Sequence, residues 1–221
     1  MYTYEYPHPA LTTDIVIFTL QDRQLMVLLI QRANDPYKGH WGLPGGFVDI
    51  DEDLDAAALR ELKEETGVSG VYLEQLYTFG RPDRDPRERV ISVAYYALVP
   101  IDWMQIRADS DAKNVGWFPC SRLPVLAFDH RLIIDLARTR LASKLDYSTI
   151  ALRFMPARFT LSELQQVYET ITDAPLDKRN FRKRLLAYQC IADTGEKRRN
   201  GKHRPARLYT MKSPGTVEFI K

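Results

Sequence analysis

Cysteine is scarce in this sequence, with only Cys120 and Cys190 in 221 residues. Two cysteines 70 positions apart do not give the paired spacings of a disulfide-rich secreted domain or of a zinc site. No apolar run approaches the roughly 18–20 residues that span a bilayer. The N-terminal segment has no basic stretch followed by an apolar one, which argues against a secretory signal. We therefore expect a cytoplasmic protein with two reduced, buried thiols and no membrane partner.

The net charge of +2 hides an asymmetry between two parts of the chain. Residues 145–221 carry 15 lysines and arginines against 8 acidic residues, which leaves 16 against 21 for the rest. A basic segment joined to an acidic one suggests that the C-terminal part binds a polyanion.

The first two-thirds of the chain predicts strands and two helices. Runs of β-branched and apolar residues predict strands over 12–20, 24–31, 71–80, 89–100 and 114–119. The stretch that ends at Gly67 predicts one helix, with acidic residues near its N-terminus. A helical period of apolar residues predicts another over 127–145.

One motif in this region is specific enough to suggest a family. Its pattern is Gly, five residues, Glu, seven residues, then Arg-Glu-U-x-Glu-Glu-x-Gly-U, where U is bulky and aliphatic. The pattern falls on Gly46, Glu52, Arg60, Glu61, Leu62, Glu64, Glu65, Gly67 and Val68. This arrangement resembles the Nudix box without departure, and an α/β (α+β) Nudix fold is therefore expected, with a mixed sheet between helices.

Helix geometry makes the acidic part of the motif a plausible metal site. Each residue of an α-helix advances about 100°, so Glu61, Glu64 and Glu65 fall within one arc of about 100°. Several carboxylate oxygens on one face suit Mg²⁺ or Mn²⁺ rather than a soft metal. The alternative is a solvated acidic face that pairs with Arg60 and Lys63.

The Nudix resemblance implies hydrolysis of a nucleoside diphosphate that is linked to another moiety. Bound metal would neutralise the pyrophosphate and activate a water. The implied metal ligands are Gly46, Glu61, Glu64 and Glu65, and Arg60 would reach back to Glu52 to brace the loop. The motif does not decide which carboxylate acts as general base.

Residues outside the motif suggest the ligand. The segment 80–98 and the opening YEYPHPALTTD resemble the corresponding parts of ADP-ribose pyrophosphatases. Candidate contacts to ribose or phosphate oxygens are Arg32, Arg81, Arg84 and Arg87. The alternative for the last three is a solvated loop in which they pair with Asp83, Asp85 and Glu88. His130, near a predicted helix start, is expected to be structural.

The C-terminal part predicts a second domain. We place the junction within 146–159 and divide the chain into 1–148 and 149–221. Thr160 stands three residues before Glu163, a capping-box spacing that opens a helix over 160–172. A second helix over 176–189, a short apolar run, a turn at 193–195, a basic stretch and a strand over 208–212 follow. This order predicts a winged helix-turn-helix domain.

Basic residues are concentrated on the second helix and on the predicted wing. Between Lys178 and Lys212 there are 12 lysines and arginines but only two acidic residues. The candidate DNA contacts are Lys178, Arg179, Arg182, Lys183, Lys197, Arg198, Arg199, Lys202 and Arg204. A recognition helix in the major groove beside a basic hairpin on the backbone would bind double-stranded DNA. The alternatives are a solvated basic appendage or a protein-docking module.

The two domains together, with the LAFDH segment at 126–130, resemble the Nudix-related transcriptional regulators (NrtR) of bacterial NAD metabolism. The resemblance implies a homodimeric repressor that ADP-ribose releases from palindromic operators of NAD biosynthesis or salvage genes. Some members have decayed Nudix boxes, whereas this one is complete, so hydrolysis of ADP-ribose is a further expectation. Two alternatives are a metabolic hydrolase whose C-terminal domain only mediates dimerisation or protein contact, and a sugar-responsive regulator.

Overall fold

The computed structural model describes residues 5–101, 115–199 and 205–220. The chain forms two compact units. Of the described residues, the first unit comprises 5–18, 26–98 and 115–137, and the second comprises 19–25, 99–101, 138–199 and 205–220. This division passes through the helix at His130–Lys144, and the junction between residues 148 and 149 stays a prediction.

A mixed sheet dominates the first part of the described chain. Its strands are β1 (Ala10–Gln21), β2 (Gln24–Gln31), β3 (Trp41–Gly42), β4 (Gly45–Phe47), β5 (Tyr72–Phe79), β6 (Val90–Leu98) and β7 (Val115–Pro119). The order is β3-β2-β1-β6-β5, with β4 paired to β1 and β7 paired to β2. β1 and β6 are parallel, whereas the pairs β1–β4, β2–β3, β2–β7 and β5–β6 are antiparallel. The predicted mixed sheet is confirmed.

The centre of the sheet is apolar on both faces. Four consecutive residues of β1, Ile15 to Phe18, are completely buried. A strand that is covered on both faces shows a continuous apolar run instead of alternation, as this one does. This run places Thr12, Thr13 and Asp14, which precede it, at the edge of the core.

The helix of the Nudix box, α1 (Leu54–Thr66), has both ends defined by its sequence. The Asp53 side chain accepts from the Asp55 backbone N–H, which caps the start. Gly67 ends the helix in the left-handed region at φ 62°, where a glycine meets no steric penalty. Ala57, Ala58 and Leu62 are buried together with Glu61, so the buried side of the helix includes one of the acidic residues of the motif.

The rest of the described chain is helical until its last hairpin. The elements are α2 (His130–Lys144), a short 3-10 helix (Ile150–Phe154), α3 (Leu161–Thr172), α4 (Lys178–Ala187), β8 (Ile191–Arg198) and β9 (Ala206–Met211). The order of α3, α4, β8 and β9 is that of a winged helix, as predicted. No helix among the described residues is long and apolar enough to cross a bilayer.

Two local predictions for the winged helix were wrong in detail. α4 begins at Lys178 instead of 176, because the Asp177 side chain caps it by accepting from the Asn180 backbone N–H at 2.8 Å. The residues 193–195 do not end the strand. They lie inside β8, where the register with β9 shifts between Asp193 and Lys197 and Gly195 has φ 76°. The predicted Asn200–Gly201 turn lies outside the described residues.

Two apolar residues of α4 form the small core of the winged helix. Phe181 and Leu185 are buried, and the Phe181 ring packs edge-on against the Tyr168 ring at 5.2 Å between centroids. Leu186 does not join them and is 49% exposed. It stands one helical step beyond Leu185, which turns it away from the core and towards the side that carries Arg182.

The capping box of α3 provides a stability prediction. Thr160 Oγ1 accepts from the Glu163 backbone N–H at 3.2 Å, and Glu163 Oε2 accepts from the Thr160 backbone N–H at 2.7 Å. Thr160→Ala removes one of these bonds, so we expect a loss of about 1 kcal/mol in the free energy of unfolding by urea denaturation. Thr172→Ala, at the last residue of the same helix, is the matched control. Equal stability of Thr160→Ala and the wild type would contradict the role of the cap.

Candidate functional site

The glycine pair of β4 is in close contact with α1. Glu65 Oε2 accepts from the Gly45 backbone N–H at 2.7 Å. A Cβ added to Gly46 would lie 2.2 Å from Glu61 Oε1, closer than any real contact. The requirement for glycine at this motif position is therefore steric, since the Glu61 carboxylate lies directly against the backbone.

Arg60 connects the acidic residues of the motif. Its Nε and Nη2 donate to both oxygens of Glu52 at 2.9 and 2.8 Å, the brace that the sequence suggested. Its Nη1 donates to Glu61 at 2.6 Å and to Glu64 at 3.4 Å. The hydrogen bond from Arg60 lowers the pKa of Glu52 below its ordinary value. The arginine thus supplies positive charge between three carboxylates that would otherwise repel one another.

The three glutamates of the predicted metal site share a helix face, but their side chains do not converge. Among the residues that the structure describes, no group of three acidic, histidine or cysteine side chains is arranged to hold a metal. The reason lies in the partners of these side chains. Arg60 holds Glu61 and Glu64, Gly45 holds Glu65, and the Glu64 side chain is 60% exposed.

The chemistry of these donors nevertheless fits a hard divalent cation. Glu61 and Glu65 present carboxylate oxygens beside the same glycine pair, a suitable donor type for Mg²⁺ or Mn²⁺. Burial raises the pKa of Glu65 to about 7, and the charges of Glu61 and Asp14 act in the same direction against the Gly45 hydrogen bond. A negative potential of this kind is what a cation relieves.

A cavity of about 360 Å³ lies beside these carboxylates. Its walls come from β1, the end of β2, β4 and the loops around residues 84–87 and 128–130. The predicted site residues that line it are Gly46, Glu65, Arg32, Arg84 and Arg87. Arg81 lies outside this lining and forms an exposed pair with Asp83 at 2.9 Å, which favours the solvated alternative for that residue.

Arg84 lies in a buried ionic network that the sequence did not predict. Its side chain is 4% exposed and contacts Asp14 at 3.2 Å and Asp129 at 2.8 Å. Asp14 also accepts from the Ser92 hydroxyl, and its other oxygen lies 3.4 Å from His130 Nε2. Arg84 thus pairs with two distant carboxylates and not with the acidic residues of its own loop, which the solvated alternative had named.

His130 is buried and accepts a hydrogen bond from the backbone of the loop at Leu43, as expected for a structural histidine. Its Nδ1 accepts from the Leu43 backbone N–H at 2.8 Å, so the ring proton is on Nε2, facing Asp14. Burial by itself raises the pKa of Asp14, but His130, Arg84 and Ser92 outweigh it and lower that pKa to about 2. Asp14 and Asp129 stand in the ALTTD and LAFDH segments, and these two segments were the only sequence signal for this network.

The basic residues of the winged helix border a groove of about 950 Å³. Lys178 and Arg182 of α4 line one side, and Lys197, Arg198 and Arg207 of the hairpin line the other. Arg179 and Lys183 are exposed on α4, and Arg199 is exposed after β8. Lys202 and Arg204, which the sequence also assigned to DNA, lie outside the described residues. We call the five groove-lining cations the basic groove.

Glu163 connects the start of α3 to the hairpin that lines the basic groove. One oxygen caps α3, and the other pairs with Arg198 of the wing. Arg182 donates to the Ser162 hydroxyl at 3.4 Å. Sequence inspection assigned Glu163 only the capping role, because contacts between a helix start and a strand 35 residues later leave no local pattern.

Family models match both parts of the chain. The NUDIX domain model matches residues 8–136, and the model described as "NrtR DNA-binding winged helix domain" matches residues 151–211. The curated "ADPR responsive transcriptional repressor NtrR" of Acinetobacter baylyi is 41% identical over 209 residues, which cover 93% of this chain and 83% of that protein.

Two solved structures of one bacterial protein are also similar. The crystal structure of Shewanella oneidensis NrtR complexed with a 27mer DNA matches with a TM-score of 0.81 and 44% identity, over 91% of this chain and 93% of that one. The NUDIX domain of Shewanella oneidensis NrtR complexed with ADP ribose matches with a TM-score of 0.52 and 42% identity. That match covers 62% of this chain and 90% of the domain.

Proposed function

The chain belongs to the NrtR family, and from this premise we propose that it is a DNA-binding transcriptional repressor that responds to ADP-ribose. The observation that carries the proposal is the presence on one chain of the basic groove and of the arginine-lined cavity beside the Nudix helix. The Acinetobacter relative is named for both properties, and the Shewanella relative has been crystallised with each partner.

The further details of the proposal follow from the family resemblance. The regulated genes are those of NAD biosynthesis or salvage, and the repressor acts in the cytoplasm, where its operators are. It binds as a homodimer, because a two-fold protein matches a palindromic operator. ADP-ribose releases the DNA by binding better to the form of the dimer that does not fit the operator.

A fluorescence anisotropy titration tests the proposal. A labelled duplex from upstream of an NAD gene should bind at moderate salt, with a shuffled duplex as control, and micromolar to millimolar ADP-ribose should weaken that binding. Absence of specific binding would favour the alternative of a metabolic hydrolase. Specific binding that ADP-ribose leaves unchanged would contradict the proposed ligand response.

Arg182→Ala should weaken operator binding about tenfold. The side chain lies on α4 beside the wing, and loss of one contact to a base or phosphate costs roughly 1–3 kcal/mol. The affinity for ADP-ribose, measured by calorimetry, should not change. Arg131→Ala, an exposed arginine of α2 that pairs with Asp135, is the matched control. Unchanged operator affinity of Arg182→Ala would remove α4 from the DNA interface.

A second candidate activity is supported by the complete Nudix box. We propose that the protein also hydrolyses the diphosphate of ADP-ribose when divalent metal is bound. The metal, Mg²⁺ or Mn²⁺, would neutralise charge on the diphosphate and activate water. Glu61, Glu64, Glu65 and the Gly46 backbone would hold it, while Arg60 and Glu52 keep the loop and helix in register. The arginines of the cavity would bind the substrate.

A further inference from the structure

The ring of Phe128 stands among the charged residues of the cavity. The guanidinium carbon of Arg32 lies 4.7 Å from the ring centroid, and that of Arg87 lies 5.9 Å from it. The Tyr37 ring packs edge-on against the same ring at 4.9 Å between centroids. Both guanidinium groups lie within the range in which a cation is attracted to an aromatic face. One aromatic ring therefore supports two arginines of the predicted ligand site.

The backbone of Phe128 adopts a conformation that a bulky residue rarely takes. Its φ is 50°, in the left-handed region. Such a conformation persists where the flanking structure determines it, often at ligand-binding positions. Here Ala127 N–H donates to the Trp41 carbonyl at 2.8 Å, and the Asp129 side chain holds Arg84. These flanking contacts fix the direction of the ring.

Of the two arginines beside the Phe128 ring, Arg87 has a carboxylate partner and Arg32 does not. Arg87 forms a two-point contact with Asp85 at 2.7 and 3.0 Å. Arg32 donates to the Pro36 carbonyl at 2.8 Å and has no carboxylate partner within salt-bridge distance in the described part of the chain. Burial and the charge of Arg87 both lower the pKa of Arg32. An anion beside this pair would relieve their repulsion.

We propose that Phe128 is a positioning residue that, with Phe47 on the other contact of Arg87, holds Arg32 and Arg87 in one cavity to bind the diphosphate of the ligand. This inference rests on the proposed function, because it concerns the same cavity. Two guanidinium groups in one cavity suit two linked phosphates better than a single one, since each can donate to a different phosphoryl group. The ring itself makes no polar contact to the ligand and acts through the two arginines.

Calorimetry with ADP-ribose, ADP and AMP, without divalent metal so that nothing is hydrolysed, tests the proposal. Phe128→Leu removes the π face and should lower the affinities for ADP-ribose and ADP about tenfold, while that for AMP falls less than about threefold. Phe128→Tyr keeps the ring and should retain the wild-type affinities. Phe118→Leu, whose ring packs on Trp41 outside the cavity, is the control.

A further variant separates the role of the ring from folding. Glycine adopts φ near 50° without penalty, so Phe128→Gly should still fold cooperatively, as its melting curve would show, and lose the preference for ADP over AMP. Equal losses for ADP and AMP, or no loss, would overturn the proposal. Wild-type protein that binds ADP in a Phe128-dependent way but not ADP-ribose would support the positioning role of Phe128 and contradict the proposed ligand. Wild-type protein that binds neither ADP nor ADP-ribose, whether or not Mg²⁺ is added, would overturn both proposals.

Discussion

Replacing Arg84 with methionine should lower the free energy of unfolding by about 3–5 kcal/mol, because removal of one partner leaves buried charge uncompensated. The Arg84 side chain is 4% exposed, and its partners Asp14 and Asp129 are 10% and 13% exposed. Methionine matches the length of the aliphatic stem, so most of the loss is electrostatic. Urea denaturation at neutral pH, followed by circular dichroism, measures the effect.

Arg81→Met is the matched control in the same loop. Its pair with Asp83 is 69% exposed on both sides, and such surface pairs contribute about 0–1 kcal/mol. Equal losses in the two variants would mean that Arg84 is not held by a buried network.

The same network predicts a pH dependence. The pKa of Asp14 is lowered from 3.8 to about 2, so its ionised form stabilises the fold above pH 3.8 and this contribution is lost as the pH falls through about 2. Arg84→Met removes one of the groups that lower this pKa. The stability that is lost between pH 3.8 and about 2 should therefore be smaller in the variant than in the wild type. Urea denaturation in steps from pH 6 to pH 2 compares the two losses.

Glu64→Gln should reduce metal-dependent hydrolysis of ADP-ribose at least about 100-fold. A catalytic metal is worth several kcal/mol of transition-state stabilisation, and each 1.4 kcal/mol is about tenfold in rate. The Glu64 side chain is 60% exposed, so the neutral substitution should leave the fold intact. The measurement is product formation at saturating Mg²⁺. Lys63→Gln introduces the same side chain at the preceding exposed position and serves as the control.

The outcome of the Glu64 experiment also separates hydrolysis from sensing. The arginines that line the cavity are unchanged in Glu64→Gln, so ADP-ribose should still weaken operator binding. Intact turnover in the variant would show that the metal assignment is wrong. Loss of both turnover and the ligand response, with retained DNA binding, would mean that the two activities share the same bound metal.

The elements of this fold were predictable where the sequence pattern is local. Three features depend only on residues that are close in the sequence: the apolar run of β1, the capping box of α3 and the glycine that ends α1. The Arg60–Glu52 brace was also suggested, because the family motif contains both positions. In these cases the neighbouring residues alone are sufficient to predict the structure.

Contacts between distant segments were not predictable. Arg84 was considered with Asp83, Asp85 and Glu88, yet its partners stand 70 and 45 positions away. Periodicity and spacing carry no information about such pairs. The irregularity of β8 was missed for another reason: an Asp-Thr-Gly sequence favours a turn, but pairing with β9 on both sides keeps it within the strand as a bulge.

The parallel pairing of β1 with β6 has a consequence for folding of the chain during its synthesis on the ribosome. Thr19 of β1 bonds to the Val99 carbonyl, 80 positions later. Because translation adds about 5–20 residues per second, the apolar strand β1 is complete several seconds before its parallel neighbour β6 has been synthesised. During that interval the nascent chain exposes the apolar face of β1 that β6 later covers, and this face favours aggregation. Synonymous codons that slow elongation between β1 and β6 should therefore lower the soluble yield.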